Sequence, residues 1–477
     1  MDYGAISILI PVFVISLALF TKKIIPSIAL GVIIGGILLE NGNIINGIVT
    51  AVNFVVNEVA DEERVCTIMF LFVFGALGEI IKVSGGVKGF TNFASKYVKT
   101  EMGALICVWI SSLFTFIDCC FHAISSGTIG KALTDRVGGN KYRLAHVINV
   151  TSCLLIILIP FGTTYVGYIV SLIALSLSET NLSVSPYSLF LESIPFNFYA
   201  IIMTAISLGV TFFNLGFDNK TSIFLGKKQF KDNEESTHHA HEECEFQEKV
   251  KPRTINLILP LIFLICSTVF FFWYLGKNEN PNFFDAIMNT EFEKSILVSG
   301  TLTLILTSIF YLFQKIPLNE IESHFMSGGK DLVEPIIVLV MSWGLSSIMD
   351  KLGFANFLAS KINENIPTFL IPSLIFLIGC VISYFIGSAW GTWSLLMPIA
   401  VPIAIGTGSF LPLVIGAVLA GGSLGDNASP LGETVVLSSA VSDVPIMKHV
   451  RTQMPYSLAS IGISAVMFVV SALIFQI

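Results

Sequence analysis

From Asn365 to Gly425 the chain runs for 61 residues without one Asp, Glu, Lys or Arg. A second run of this kind, Leu144 to Ser178, covers 35 residues. About 20 apolar residues cross a bilayer as a helix, so the longer run alone can hold three crossings. Inside lipid the backbone must satisfy its own hydrogen bonds, which leaves helices or closed barrels. A barrel strand alternates polar and apolar residues over about 10 positions, and these runs do not alternate. Composition agrees: charged residues are 12% of the chain, against about 25% in a soluble domain. Hydrophobic residues are 54%, the formal net charge is -7 and the mean hydropathy is +0.81. A soluble enzyme, a nucleic-acid binder and a disordered tail are excluded, and no basic footprint for nucleic acid is present. The sequence therefore specifies an all-α integral membrane protein, a polytopic helical bundle.

Membrane-embedded stretches are expected at 4–21, 24–40, 65–81, 103–134 (broken), 144–178 (broken), 189–215, 254–275, 295–313, 334–350, 369–387, 391–425 (broken), 430–442 and 456–476. The N-terminus lacks the basic start and small-residue cleavage site of a signal peptide. Its first apolar run, Ile6 to Phe20, precedes Lys22 and Lys23 and reads as a retained helix. The eight cysteines show no disulfide-like spacing and read as free thiols packed as small hydrophobes. The most polar insertion, Asp218 to Arg253, carries seven Lys/Arg and eight Asp/Glu and reads as a solvated central loop.

The two halves flanking that loop share a colinear set of motifs. Phe74-Gly75-Ala76-Leu77 and Phe93-Ala94-Ser95-Lys96 are matched by Trp343-Gly344-Leu345-Ser346 and Leu358-Ala359-Ser360-Lys361. Phe116-Ile117 is matched by Phe385-Ile386, and Gly127-Thr128 by Gly391-Thr392. Pro160-Phe161-Gly162-Thr163-Thr164 is matched by Pro430-Leu431-Gly432-Glu433-Thr434. Basic residues set orientation. They place Lys22/Lys23, segments 82–99 and 131–143 and the central loop on the cytoplasmic side, with 41–61 and 278–289 outside. In the second half the bias reverses, so the repeats are expected to be inverted relative to each other. Inverted repeats with broken helices point to a secondary transporter. The expected divisions are 1–64 (N-terminal helices and an external loop), 65–215 (first repeat and a following helix), 216–253 (cytoplasmic polar loop), 254–333 (linking or scaffold helices) and 334–477 (second repeat with the C-terminal helix).

Gly, Pro, Ser and Thr cluster inside the apolar runs at 125–130, 160–164, 387–392 and 421–434. Breaks or re-entrant hairpins are expected there. Unwound backbone frees carbonyls that ligate Na⁺, and helix N-termini attract anions. Such backbone is tolerated only where it is buried or lines a cavity. The competing reading is that these small residues let helices pack closely. A carboxylate at membrane depth costs roughly 2.5–3.5 kcal/mol, so Asp118, Asp426 and Glu433 are the candidates for ion or proton coupling. Asp426, Ser429 and Thr434 form a candidate Na⁺ site. His122, Ser125, Ser126, Asn149, Gly162, Thr163, Thr164, Trp390, Thr392, Asn427, Ser429 and Thr434 are candidates for substrate binding. Trp390 and Trp393 are read first as core or interface packing, with a wall of the cavity as the alternative.

His238, His239, His241 and Cys244 in the central loop could ligate Zn²⁺, although the spacing fits no familiar site. The loop is too polar to bury a core and is expected to be dispensable for transport. No Walker motif, dinucleotide loop or nucleophile elbow stands out, and no resident cofactor is expected.

The sequence resembles the NhaC-type Na⁺/H⁺ antiporter family of the ion transporter superfamily. The resemblance rests on Phe116-Ile117-Asp118 with Gly127-Thr128, and on Leu144-Ala145 with Ile148. It continues in Ser388 to Thr392 with Leu396-Met397-Pro398-Ile399-Ala400, and in Gly425-Asp426-Asn427-Ala428-Ser429-Pro430 with Glu433-Thr434 and Leu437-Ser438-Ser439. Gln453-Met454-Pro455-Tyr456 also fits. The resemblance implies ion-coupled exchange by alternating access, with Na⁺ as coupling ion, in the plasma membrane of a bacterium, by a multi-pass homodimer. It implies Asp118, Asp426, Ser429, Glu433 and Thr434 as site residues. Three positions depart from the family pattern: Cys119 where a second acid is common, Asn149 where an acid is expected, and Asn427 where His is common. Two transport readings follow, Na⁺/H⁺ exchange and Na⁺- or H⁺-coupled movement of a small organic solute such as an amino acid or organic acid. A channel is the third reading, and an enzyme is not expected. The partners are then a small ion or solute and the lipid bilayer, not nucleic acid.

Overall fold

A computed structural model describes residues 6–178, 182, 184–213, 251–277, 282–288, 290–354, 357 and 367–475. The His-rich part of the central loop, and the stretch 278–281 expected outside, lie beyond the described residues. Among the described residues every regular element is helical. The first half contains α1 (Ile6–Thr21), α2 (Ile24–Leu39), α3 (Ile44–Val59), α4 (Glu62–Val83), α5 (Gly86–Ala94), α6 (Glu101–Thr115), α7 (Cys119–Val137), α8 (Lys141–Val150), α9 (Thr164–Ser178), α10 (Pro186–Ser193) and α11 (Phe198–Phe213). The second contains α12 (Ile255–Gly276), α13 (Phe283–Met288), α14 (Phe292–Phe313), α15 (Leu318–Asp331), α16 (Val333–Lys351), α17 (Ile371–Ile386), α18 (Ala389–Thr407), α19 (Leu411–Ala428), α20 (Glu433–Val441) and α21 (Ile446–Phe475). Nine helices among the described residues are long and apolar enough to cross a membrane, and up to eleven if two bent pairs each make one span. The protein is a multi-pass membrane protein.

One spacing relates the halves. α7 and α18 start at Cys119 and Ala389 and end at Val137 and Thr407, a spacing of 270 at both ends (389 minus 119, 407 minus 137). α8 and α19 start at Lys141 and Leu411, again 270 apart (411 minus 141). The caps repeat too. Asp118 caps α7 through its side chain, and Ser388 caps α18. Both helices end on a left-handed glycine, Gly138 and Gly408. Such a residue satisfies the last carbonyls without a Cβ penalty.

The breaks follow the same spacing. The first half breaks at 116–118 and 159–163, the second at 387–388 and 429–432. Three of the four small-residue clusters therefore sit at or beside an interruption. The cluster 125–130 does not, and this corrects the expectation of a break near Gly127. There α7 is continuous. The hydroxyls of Ser126 and Thr128 donate to the carbonyls of His122 and Ile124, four residues back, so no backbone is released. Gly127 instead brings α7 against Val441 of α20, and Gly130 faces Leu144 and Val108. At this cluster close packing is the role of the glycines. The stretch 41–61, expected as a loop, holds α3, which folds back on α2 at 120°. Asn43 caps it by accepting from the Asn46 amide.

α19 is the axis of the core: every residue from Pro412 to Ala428 is buried. Gly421 lets it approach Gly379 and the Phe376 carbonyl of α17. α8 departs from α-helical geometry just after Asn149, with a π-turn over Thr151–Leu155 and a 3₁₀ turn over Ile156–Leu158. Such bulges are frequent at functional sites. Here Thr151, Ser152 and Cys153 all bond back to carbonyls of residues 147–149, which perturbs the ladder locally.

Candidate functional site

In each half the two breaks cross in contact. In the first, the Thr164 amide donates to the Ile117 carbonyl at 2.9 Å and the Thr164 hydroxyl to Oδ2 of Asp118 at 3.2 Å. Asp118 Oδ1 accepts from the Cys120 and Phe121 amides at 2.9 and 3.0 Å. An acid at this position caps α7, meets the positive end of its dipole and ties it to the start of α9. In the second half, Oδ1 of Asp426 accepts from the Ala389 amide at 3.1 Å, so the carboxylate at the end of α19 faces the N-terminus of α18. The Thr434 hydroxyl donates to the Asp426 carbonyl at 2.6 Å.

The two crossings then join. Tyr165, one residue after Thr164, donates its hydroxyl to Oδ2 of Asp426 at 3.2 Å. Its ring meets Trp390 and Trp393 edge-on at 4.8 and 5.1 Å. Tyr168 donates to the Trp390 carbonyl at 3.0 Å. Asn149 donates to the Asn427 carbonyl at 2.7 Å and to the Gln453 side-chain oxygen at 3.2 Å. Gln453 also donates to the Asn427 carbonyl, and Tyr199 to the Asn427 side chain at 2.8 Å. The Asn427 carbonyl near the end of α19 is thus held by α8 and α21, and its side chain by α11.

Asp118 and Asp426 are 6% and 3% exposed. Glu433, the first residue of α20, is exposed. Its carboxylate lies within reach of the Cys120 thiol and within electrostatic range of Asp118, Asp426 and Glu334. Desolvated carboxylates cannot stay ionised without a positive partner or hydrogen-bond donors. Glu433 thus shares an electrostatic environment with Asp118 and Asp426, in which a bound cation or proton would offset the negative charge.

The other candidates are placed as follows. His122 lies buried between the hydroxyls of Thr115 and Thr151, at 2.5 and 2.9 Å, and its ring makes no hydrogen bond to a carboxylate. Ser125 is buried and its hydroxyl has no partner among the described residues, which marks a position where a water or ligand oxygen fits. Gly162 takes a left-handed φ of +71° against Phe116. Thr163 caps α9 through the Val166 amide, Thr392 bonds back to the Ser388 carbonyl, and Ser429 holds the Leu431 amide in the turn. The main-chain carbonyls of Gly425, Asp426 and Ser429 converge beside Gly432, where a Cβ would lie 2.5, 3.1 and 3.1 Å from them. Sequence reading missed Tyr165 and Tyr199, which lie in apolar runs that look like ordinary span.

Two crossed pairs of broken helices around buried acids define a secondary transporter of the membrane. The chain belongs to the Na⁺/H⁺ antiporter family, whose model matches residues 155–473. A protein of Haemophilus influenzae without assigned function is 28% identical over 98% of this chain and 92% of its own length. The malate-2H⁺/Na⁺-lactate antiporter of Bacillus subtilis is 30% identical over 39% of this chain and 44% of its own. The crystal structure of the Alcanivorax borkumensis YdaH transporter shares the fold at a TM-score of 0.58 and 12% identity, over 89% of this chain and 88% of that one. Ion-coupled transport, rather than enzymatic chemistry, is the work of this family.

Proposed function

We propose that the protein exchanges Na⁺ for H⁺ across a bacterial plasma membrane by alternating access, with the two halves inverted relative to each other. The observation that carries this is Asp426, a buried carboxylate held between the amide end of α18 and Tyr165. A proton or a Na⁺ neutralises it, and the two compete for the same oxygens. Binding one expels the other, and that competition is the coupling. Ser429, Thr434 and the carbonyls converging at Gly432 supply the neutral oxygens a hard cation takes. Asp118 and His122 serve the proton or solute side. Glu433 supplies the open approach. The test is flux in proteoliposomes: Na⁺, Li⁺ and K⁺ gradients are imposed and the internal pH followed. Na⁺-dependent, saturating and counterflow-capable proton movement is expected. Non-saturating flux would indicate a channel.

A second reading is exchange of a small organic solute. Its support is the uncharged cluster of Asn149, Asn427, Gln453 and Tyr199 beside the acid, which offers amide and hydroxyl contacts suited to a carboxylate or amino group. The B. subtilis relative, a malate-2H⁺/Na⁺-lactate antiporter, exchanges organic acids of this kind. A panel of labelled amino acids and organic acids in the same vesicles separates the two readings.

A further inference from the structure

We propose a second cation site, for thiophilic divalent ions such as Zn²⁺ and Cd²⁺, at the start of α7. Its ligands are Asp118, Cys119 and Cys120, with the acid Glu433 nearby on the open side. The ligand atoms of Asp118, Cys119 and Cys120 all lie within 4.8 Å of one another. The two sulfurs are 3.7 Å apart. With zinc–sulfur bonds of about 2.3 Å, two sulfurs of a tetrahedral site lie about 3.8 Å apart, so the spacing is already that of a shared ion. Glu433, at the start of α20, stands outside that three-residue group and adds its negative charge beside Cys120.

The charge balance favours the ion. Binding M²⁺ breaks two S–H bonds and releases two protons to water, while two metal–sulfur bonds form. The net charge of the site is unchanged, so no new charge is buried. Access is open on one side, because Glu433 is exposed and Cys120 is half-buried, whereas Cys119 is 2% exposed. Thiolates select soft or borderline ions over Na⁺, so this site differs in chemistry from the oxygen site around Asp426. Its ligands come from the cap and first turn of α7 and its neighbouring acid from the first turn of α20, and each helix directly follows a break. An ion there would tie the two breaks together. That it then arrests flux rests on the exchange mechanism proposed above.

The test uses the purified full-length chain under reducing conditions, titrated with CdCl₂ and followed by cadmium–thiolate charge-transfer absorption. One Cd²⁺ per chain is expected, with Zn²⁺ as competitor. The absorption is lost in the Cys119→Ser/Cys120→Ser double variant, and apparent affinity falls at least tenfold in Glu433→Gln. A variant with His238, His239 and His241 replaced by Ser keeps it. Absorption that persists in the double serine variant, or is absent from the wild type, overturns the site. In proteoliposomes, Cd²⁺ should stop flux and a chelator restore it, with each protein compared with its own metal-free flux. The double serine variant should lose less than half of its flux to Cd²⁺. A wild type that binds Cd²⁺ and transports unimpeded overturns the arrest but not the site. Retention of coupling by an Asp426 variant would overturn the exchange mechanism while leaving the cadmium absorption in place.

Discussion

The hydroxyl of Tyr165 and the carboxylate of Asp426 meet at 3.2 Å although 261 positions separate them in the chain. This bond joins the start of α9 to the end of α19, and so joins the broken helices of the two halves. Removing it by Tyr165→Phe keeps the ring and its edge contacts with Trp390 and Trp393. A hydrogen bond to a charged group is worth about 1.5–3 kcal/mol. The carboxylate loses its fixed orientation, and apparent affinity for the coupling ion is expected to fall roughly tenfold or more. Concentration dependence of flux in vesicles measures it; an unchanged half-saturation would show that the bond is incidental.

Asp426→Asn changes the charge and almost nothing of the shape. The amide oxygen still accepts from Ala389, so the fold should persist with a melting temperature close to that of the wild type. Ion-coupled flux should be abolished. Full Na⁺- and pH-dependent flux in this variant would make the acid structural. Asp118→Asn tests the partner acid. It keeps one oxygen for the Cys120 and Phe121 amides, and loss of coupling there would place Asp118 in the transport cycle rather than in the cap alone.

Gly387 separates α17 from α18 with a φ of +76°, and a Cβ on it would lie 2.5 Å from Leu431 Cβ and 2.8 Å from its carbonyl carbon. Gly408 has a similar φ of +69° but nothing within 4 Å. Alanine at either position costs about 1–2 kcal/mol for the left-handed backbone. Only at Gly387 must the crossing of the breaks also open. Gly408→Ala is expected to fold and transport, and Gly387→Ala to lose transport. Equal behaviour of the two would refute the crossing as the sensitive point.

Asp443, in the turn between α20 and α21, accepts from Lys131 at 2.9 Å and Lys141 at 3.2 Å. The hydrogen bond from Lys131 holds its carboxyl below the usual carboxylate range. A depressed acid stabilises the fold at pH above its unfolded value of about 4, and that contribution is lost as the pH falls through the lower folded value. All three groups are over one-third exposed, so the bridge is worth at most about 1 kcal/mol. Asp443→Asn should lower the melting temperature slightly at pH 7. The difference should vanish in acid, as the wild type loses the same bond. A difference that grew with acidification would contradict this sign.

The all-helical membrane class and the transporter class were legible in the sequence, because lipid leaves a backbone few options, whereas the thirteen expected membrane stretches exceed the nine to eleven candidate spans among the described residues. The repeat was legible too, since Pro160 to Thr164 and Pro430 to Thr434 carry the same turn chemistry. The location of one break was not. Ser125 to Gly130 and Gly387 to Thr392 look alike in composition. Yet α7 runs straight through the first, because Ser126 and Thr128 bond within their own helix and Gly127 is taken up by Val441 across the interface. Likewise Tyr165 and Tyr199 were indistinguishable from other aromatic residues of a span. The sequence by itself determined that acids, small residues and breaks exist, because each is a local property of the chain. Which acid faces which helix end, and which tyrosine reaches it, was decided by tertiary packing alone, because the contacts span from 37 residues (Ala389 to Asp426) to 261 (Tyr165 to Asp426) and depend on how α9, α18 and α19 dock.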